Sequence, residues 1–152
     1  MSDVSGQRDL MIARAKAAAM GAYAPYSGFH VGVALSFADG TRVTAANAEN
    51  ASYGLSLCAE SVAVAKALGD RQRAASPLVA VAVFGGRIGA DGVLAAAAAP
   101  VTPCGRCRQM LAELAALTGA DPVVWSAGAD SVVEHKLSVL LPAAFGAGAL
   151  DK

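Results

Sequence analysis

The sequence predicts an α/β layered domain in which one mixed sheet is covered by helices. Three observations predict it. Helical and strand-like segments follow one another in the order α-β-β-α-β-(β)-α-β-α. A continuous Val/Ala/Leu/Phe run at 78–84 reads as a strand buried on both faces. The 152 residues fit one core and leave little room for a second, so 1–152 is expected to form a single domain.

Each element has a local reason. Ser5 can cap a first helix that runs to about Ala22, with Arg8, Asp9, Arg14 and Lys16 interrupting an Ala/Met/Leu face. Pro25-Tyr26-Ser27-Gly28 is punctuation. Two β-like runs, 31–37 and 41–46, are joined by Asp39-Gly40, a hairpin turn signal. A second helix is expected over about 57–68, stopped by Gly69. After the buried strand, 85–92 reads as a glycine-rich loop and 93–98 as a short strand. Pro103 suits the entry of a third helix ending near Leu117, with Gly119 beyond it. Residues 122–127 form a further strand, and a short helix near 136–141 ends at Pro142.

Composition limits the function. Lys plus Arg number 12 and Asp plus Glu 12, so the formal net charge is +0. That balance argues against an electrostatic grip on nucleic acid. Charged residues make up 16% and hydrophobic residues 55%, against roughly 25% charged in an average soluble protein. So few charges hardly cover a lone globule, which points to surface buried in a homo-oligomer. No stretch approaches the ~18 uninterrupted apolar residues of a membrane helix, and 1–10 lacks a signal-peptide apolar core. The expectation is a cytoplasmic protein without a membrane partner, its thiols reduced.

There is no Walker or dinucleotide fingerprint and no Gly-x-Ser-x-Gly elbow. His30 and His135 have no Cys or Ser partner nearby in sequence. The chemical signal is the cysteines, 3 in number, an odd count that a disulfide framework does not explain. All fall at starts of predicted helices: Cys58 on the second, Cys104 and Cys107 on the third. Cys104 and Cys107 are three apart and share a face with Leu111 and Leu114, so both are expected to point inward. Arg106, Gln109 and Glu113 fall on the opposite, wet stripe. Convergent thiolates in a buried site require a cation, and zinc is the natural one. Three protein ligands rather than four mark an open, catalytic site. Glu60 sits on an apolar stripe with Val64 and Ala67, where desolvation raises a carboxyl pKa. It is placed as a proton shuttle one turn from a ligand.

Cys58-Ala59-Glu60 together with Pro103-Cys104-Gly105-Arg106-Cys107 is the three-cysteine variant of the zinc deaminase signature. With Ala24–Phe29, Asn47–Tyr53 and Leu140-Leu141-Pro142 with Phe145, spanning about 24–146, the chain resembles the cytidine deaminases of the small homotetrameric type. The resemblance implies a three-layer α/β/α fold and hydrolysis of cytidine and deoxycytidine to uridine and deoxyuridine with release of ammonia, as in pyrimidine salvage. It implies one zinc per subunit on Cys58, Cys104 and Cys107, with Glu60 as the catalytic acid–base. Asn47 and Glu49 would then bind the ribose, and Phe29 would pack on the nucleoside. Backbone groups near Ala59 would orient the pyrimidine. Phe145 and Tyr53 would reach a neighbouring subunit's site in a homotetramer with shared active sites. Arg108 would draw charge from the sulfurs. Many members carry an Arg after the catalytic Glu where this chain has Ser61, and Ala46 stands where Gly is commoner. The interval from Cys58 to Cys104 is longer than in compact members. Three other readings remain: a same-fold deaminase of another heterocycle such as blasticidin S, an editor of single-stranded nucleic acid, and a structural zinc module completed by His30 or His135.

Overall fold

The computed structural model describes residues 4–150. Its strands are β1 (His30–Phe37), β2 (Arg42–Ala46), β3 (Leu78–Ile88), β4 (Leu94–Ala96), β5 (Val123–Ala127) and β6 (Val132–Lys136). They make one sheet in the order β2-β1-β3-β5-β6, with β4 paired to β3 off that path. The β3–β5 pair is parallel, and the other pairs are antiparallel. The helices are α1 (Val4–Ala19), α2 (Ala59–Leu68), α3 (Arg71–Ala74), α4 (Gly105–Ala116) and α5 (Leu137–Leu140). No described helix is long and apolar enough to cross a membrane.

Strand alternation sorts the side chains into two unlike faces. Val33, Leu35 and Phe37 of β1, Val81 and Val83 of β3 and Val124 of β5 form one core with Ala63 and Val64 of α2 and Leu111 and Leu114 of α4. The opposite face carries Ala34, Ala80, Ala82, Phe84, Trp125 and Ala127, packed on Met11, Ala15 and Ala19 of α1. These α1 residues recur every four positions, so they form one stripe. The small side chains let this helix lie almost on the sheet. A Cβ at Gly32 would stand 1.9 Å from the Ala15 carbonyl oxygen and 2.5 Å from the Ala19 nitrogen. Helices on both faces of a mixed sheet give the three layers that the motifs imply.

Several boundaries differ from expectation, each for a physical reason. Ser5 lies inside α1 rather than before it, and α1 stops at Ala19 instead of Ala22. The stretch 85–92 is a loop only in part, because β3 continues to Ile88. A Cβ at Gly86 would meet the Ala95 oxygen at 1.9 Å, so this glycine marks the close approach of β4 rather than a turn. The strand β6 escapes a periodicity search because it has no buried face: Val132 and Val133 are 39% and 36% exposed. It is held instead by its ladder with β5 and by Trp125 Nε1 donating to Glu134 Oε2 at 2.7 Å. The final helix is accordingly trimmed to α5. The short α3 begins at Asp70, whose carboxylate accepts from Gln72 N and Arg73 N.

Substituting Gly32→Ala forces α1 off the sheet. Chemical denaturation is expected to show a loss of about 1–3 kcal/mol or more, the range for an overpacked core. An unchanged midpoint would contradict this packing.

Candidate active site

Two helices begin side by side at this site, and each has a cysteine at its N-cap. Cys58 precedes α2 and Cys104 precedes α4, both with extended backbone. Their carbonyls accept the first helical bonds, from Val62 N at 3.1 Å and Arg108 N at 2.9 Å. Neither side chain caps its helix, which leaves both sulfurs free. Cys58 Sγ and Cys104 Sγ stand 3.9 Å apart. Cys107, one turn into α4, completes a group whose three sulfurs lie within 4.8 Å of one another. Tetrahedral zinc with Zn–S bonds of ~2.3 Å sets its sulfurs roughly 3.8 Å apart, so the cluster fits one zinc ion with little movement. Both helix N-termini add positive potential that favours thiolates. Among the described residues no histidine joins the cluster, so the closed four-ligand site built on His30 or His135 has no support. Cys107 is buried as expected, but Cys104 is exposed: as an N-cap residue it turns toward the opening of a cavity.

Glu60, the second residue of α2, is 4% exposed. Burial pushes its carboxyl above the ordinary value, a nearby Cys58 charge adds to this, and its own backbone N–H and the Cys107 thiol oppose it. Cys107 Sγ lies 3.6 Å from Glu60 Oε2. Without metal, the sulfurs divide their protons unequally. Cys58 is pulled down to about 6, first by hydrogen bonding from Cys107, then by Cys104 and the Arg106 guanidinium. Cys107 is pushed up, first by its bond to Cys58 and then by burial.

The cavity over this cluster encloses about 290 Å³ and is lined by Val31, Asn47, Glu49, Ser56, Leu57, Cys58, Ala59, Glu60, Val101, Thr102 and Cys104. Asn47 and Glu49 flank Ala48, which bridges Tyr23 on one side and Leu57 on the other, so both reach the cavity. Asn47 accepts from Val31 N at 2.8 Å and donates to Phe29 O at 3.0 Å. Glu49 accepts from Tyr26 N, Ser27 N and the Ser27 hydroxyl. The Ser27 hydroxyl, followed by those backbone groups, holds the Glu49 carboxyl below its ordinary value against a smaller cost of burial.

Other sequence candidates lie outside this lining. The Phe29 ring rests near Gly85, with Arg87 5.6 Å from its centre. Tyr53 borders an adjoining cavity of about 310 Å³ that shares Glu49 and Ser56 with the first, and its ring meets Tyr26 edge-on at 5.9 Å. Phe145 is 61% exposed, its carbonyl held by Gln109 Nε2. Arg108 directs its guanidinium to Pro103 O at 2.8 Å and Leu140 O at 3.0 Å. The cation whose charge reaches Cys58 is Arg106, which the sequence places on the wet stripe. Sequence reading also passed over Ser56, Leu57, Val101 and Thr102 in the cavity wall. Their signal is adjacency, since each pair lies just before a cysteine motif.

Known proteins resemble this chain in sequence and fold. Residues 5–119 match the family described as the cytidine and deoxycytidylate deaminase zinc-binding region. A cytidine deaminase of Halalkalibacterium halodurans is 43% identical over 141 residues, 92% of this chain and 95% of that one. One from Sporosarcina psychrophila is 38% identical over 135 residues, covering 89% and 88%. The crystal structure of cytidine deaminase from Burkholderia pseudomallei superposes with a TM-score of 0.72 at 39% identity, covering 90% of this chain and 98% of that one.

Purified protein is expected to carry one zinc per chain, measured by atomic emission, and Cys107→Ala to lose it. After chelation, iodoacetamide should alkylate Cys58 through its thiolate, with a rate that rises as pH passes upward through about 6 and falls below it. A rate that rises only above the ordinary thiol range would contradict the lowered value.

Proposed function

This chain belongs to the cytidine and deoxycytidylate deaminase family, and on that premise we propose that it hydrolyses cytidine and deoxycytidine to uridine and deoxyuridine. The observation that carries the proposal is a carboxyl group 4% exposed beside three clustered sulfurs, at one end of a cavity whose other polar groups are Asn47 and Glu49. Zinc, when bound by Cys58, Cys104 and Cys107, supplies a water that is acidic enough to attack at neutral pH.

Glu60 does the proton work. It takes a proton from the attacking water and gives it to N3 of the pyrimidine as the C4–O bond forms. It then moves the proton of the new C4 hydroxyl to the C4 amine, so that the C–N bond breaks, C4 becomes a carbonyl and ammonia leaves. Its pKa, raised by burial, suits a group that must both accept and donate a proton. Backbone groups at Ala59, the first residue of α2, orient the base. Asn47 keeps one amide hydrogen beyond its bond to Phe29 O, and Glu49 keeps acceptor capacity; both suit a ribose hydroxyl. This pair favours a nucleoside over a free base or blasticidin S. Phe29 packs behind the sugar-binding segment and Arg108 fixes the start of α4.

The assembly proposed is a homotetramer with shared sites in the cytoplasm, serving pyrimidine salvage. Tyr53 and Phe145 are 75% and 61% exposed, and both suit insertion into a neighbouring subunit's cavity. The balanced charge of 12 basic and 12 acidic residues does not favour nucleic acid as substrate.

Loss of cytidine absorbance on incubation with purified protein, abolished by a chelator and restored by zinc, tests the proposal. Glu60→Gln should keep its zinc while kcat falls by at least about two to four orders of magnitude, the scale of general acid–base catalysis. Near-normal turnover would refute the role. Phe145→Ala should raise KM more than it lowers kcat if the ring serves a neighbour's substrate.

A further inference from the structure

Ser61 is the third residue of α2 and 3% exposed. Its Oγ stands 3.6 Å from Cys107 Sγ, on the helix that faces α2 across the site. Cys107 Sγ is also 3.6 Å from Glu60 Oε2. While the thiol keeps its proton, either member of the Ser61–Cys107 pair can be the donor. Metal binding removes the thiol proton, and the link to Glu60 goes with it. The Ser61 link survives, because the hydroxyl then donates.

We propose that Ser61 is a positioning residue of the metal centre: its hydroxyl donates to the ligand sulfur of Cys107, drawing off electron density and fixing the direction of that sulfur. The proposal rests on the zinc assignment to the three cysteines. A neutral donor here moderates a site whose sulfurs would otherwise carry undiluted charge, and it leaves Glu60 free for the substrate. The two hydrogen bonds of the Arg108 guanidinium go to backbone carbonyls, whereas Ser61 Oγ meets the sulfur itself.

The test loads wild type, Ser61→Ala, Ser61→Thr and Ser61→Val with cobalt(II) and records the sulfur-to-metal charge-transfer band. Zinc affinity is measured separately by competition with a chromophoric chelator. A wild-type protein with no such band would sink the zinc assignment itself, a result distinct from failure of the Ser61 role. Given the band, Ser61→Ala should move it to longer wavelength, since a sulfur without its donor gives up electrons more readily, and should weaken zinc binding roughly tenfold. Ser61→Thr should behave as wild type. The proposal is overturned if the Ala and wild-type spectra superimpose, or if Thr behaves as Ala. Ser61→Val has the shape of Ser61→Thr without the hydroxyl and should shift the band as Ala does. It decides the matter alone if the Ala protein does not fold, since superimposed Val and Thr spectra would overturn the role.

Discussion

Three sulfurs within 4.8 Å of one another are tolerable as thiolates only around a cation, and the rest of the site follows from that constraint. Two come from residues just outside helices and one from a residue just inside. The arrangement therefore requires α2 and α4 to start at the same place, with their positive ends toward the sulfurs. Two residues after an N-cap cysteine, α-helix geometry puts the next functional group on an inner face. Glu60 thus reaches the sulfurs without being one of the ligands. The dry core of Val64, Ala67, Leu111 and Leu114 behind it is what makes the carboxyl expensive to ionise.

The two sheet faces solve different problems. On the α2/α4 face, Val and Leu fill a normal interlayer space and hold the helices at the height the metal site needs. On the α1 face, Gly32, Ala34, Ala80 and Ala82 bring helix and sheet nearly into backbone contact. The Ala-rich composition is thus a requirement of close layering, and it accounts for part of the shortage of charge in the sequence.

Legibility in the sequence tracked burial and spacing. Strands with two covered faces, helices bounded by Gly or Pro, and cysteines at fixed offsets all announce themselves locally. β6 does not, because an exposed edge strand is defined by its ladder partner rather than by its own pattern. Gly86 misled because glycine signals both a turn and a close approach, and only the position of Ala95 tells them apart. At the site, Cys58, Glu60, Cys104 and Cys107 were readable from motif spacing. The partners of Arg106, Arg108 and Ser61 were not, because i, i+3 arithmetic fixes a direction from a helix axis but not what a neighbouring helix presents there. Arg106 lies on the solvent stripe and still acts on Cys58 through space.

Asn47 and Glu49 have a consequence of their own. Each reaches the cavity while its side chain fastens the 26–31 segment: Asn47 through Phe29 O and Val31 N, Glu49 through Tyr26 N and Ser27. A cavity-lining group that doubles as a brace cannot be varied independently of the wall it supports. Truncating either would slacken the rim and remove a polar group from the lining in one stroke, so alanine scanning would overstate its share of the recognition proposed above. Change in such a lining has its easiest route through positions that carry no such second duty: Thr102 is one, whereas Ser56 is not, because its hydroxyl oxygen accepts from Asn50 N at 3.1 Å.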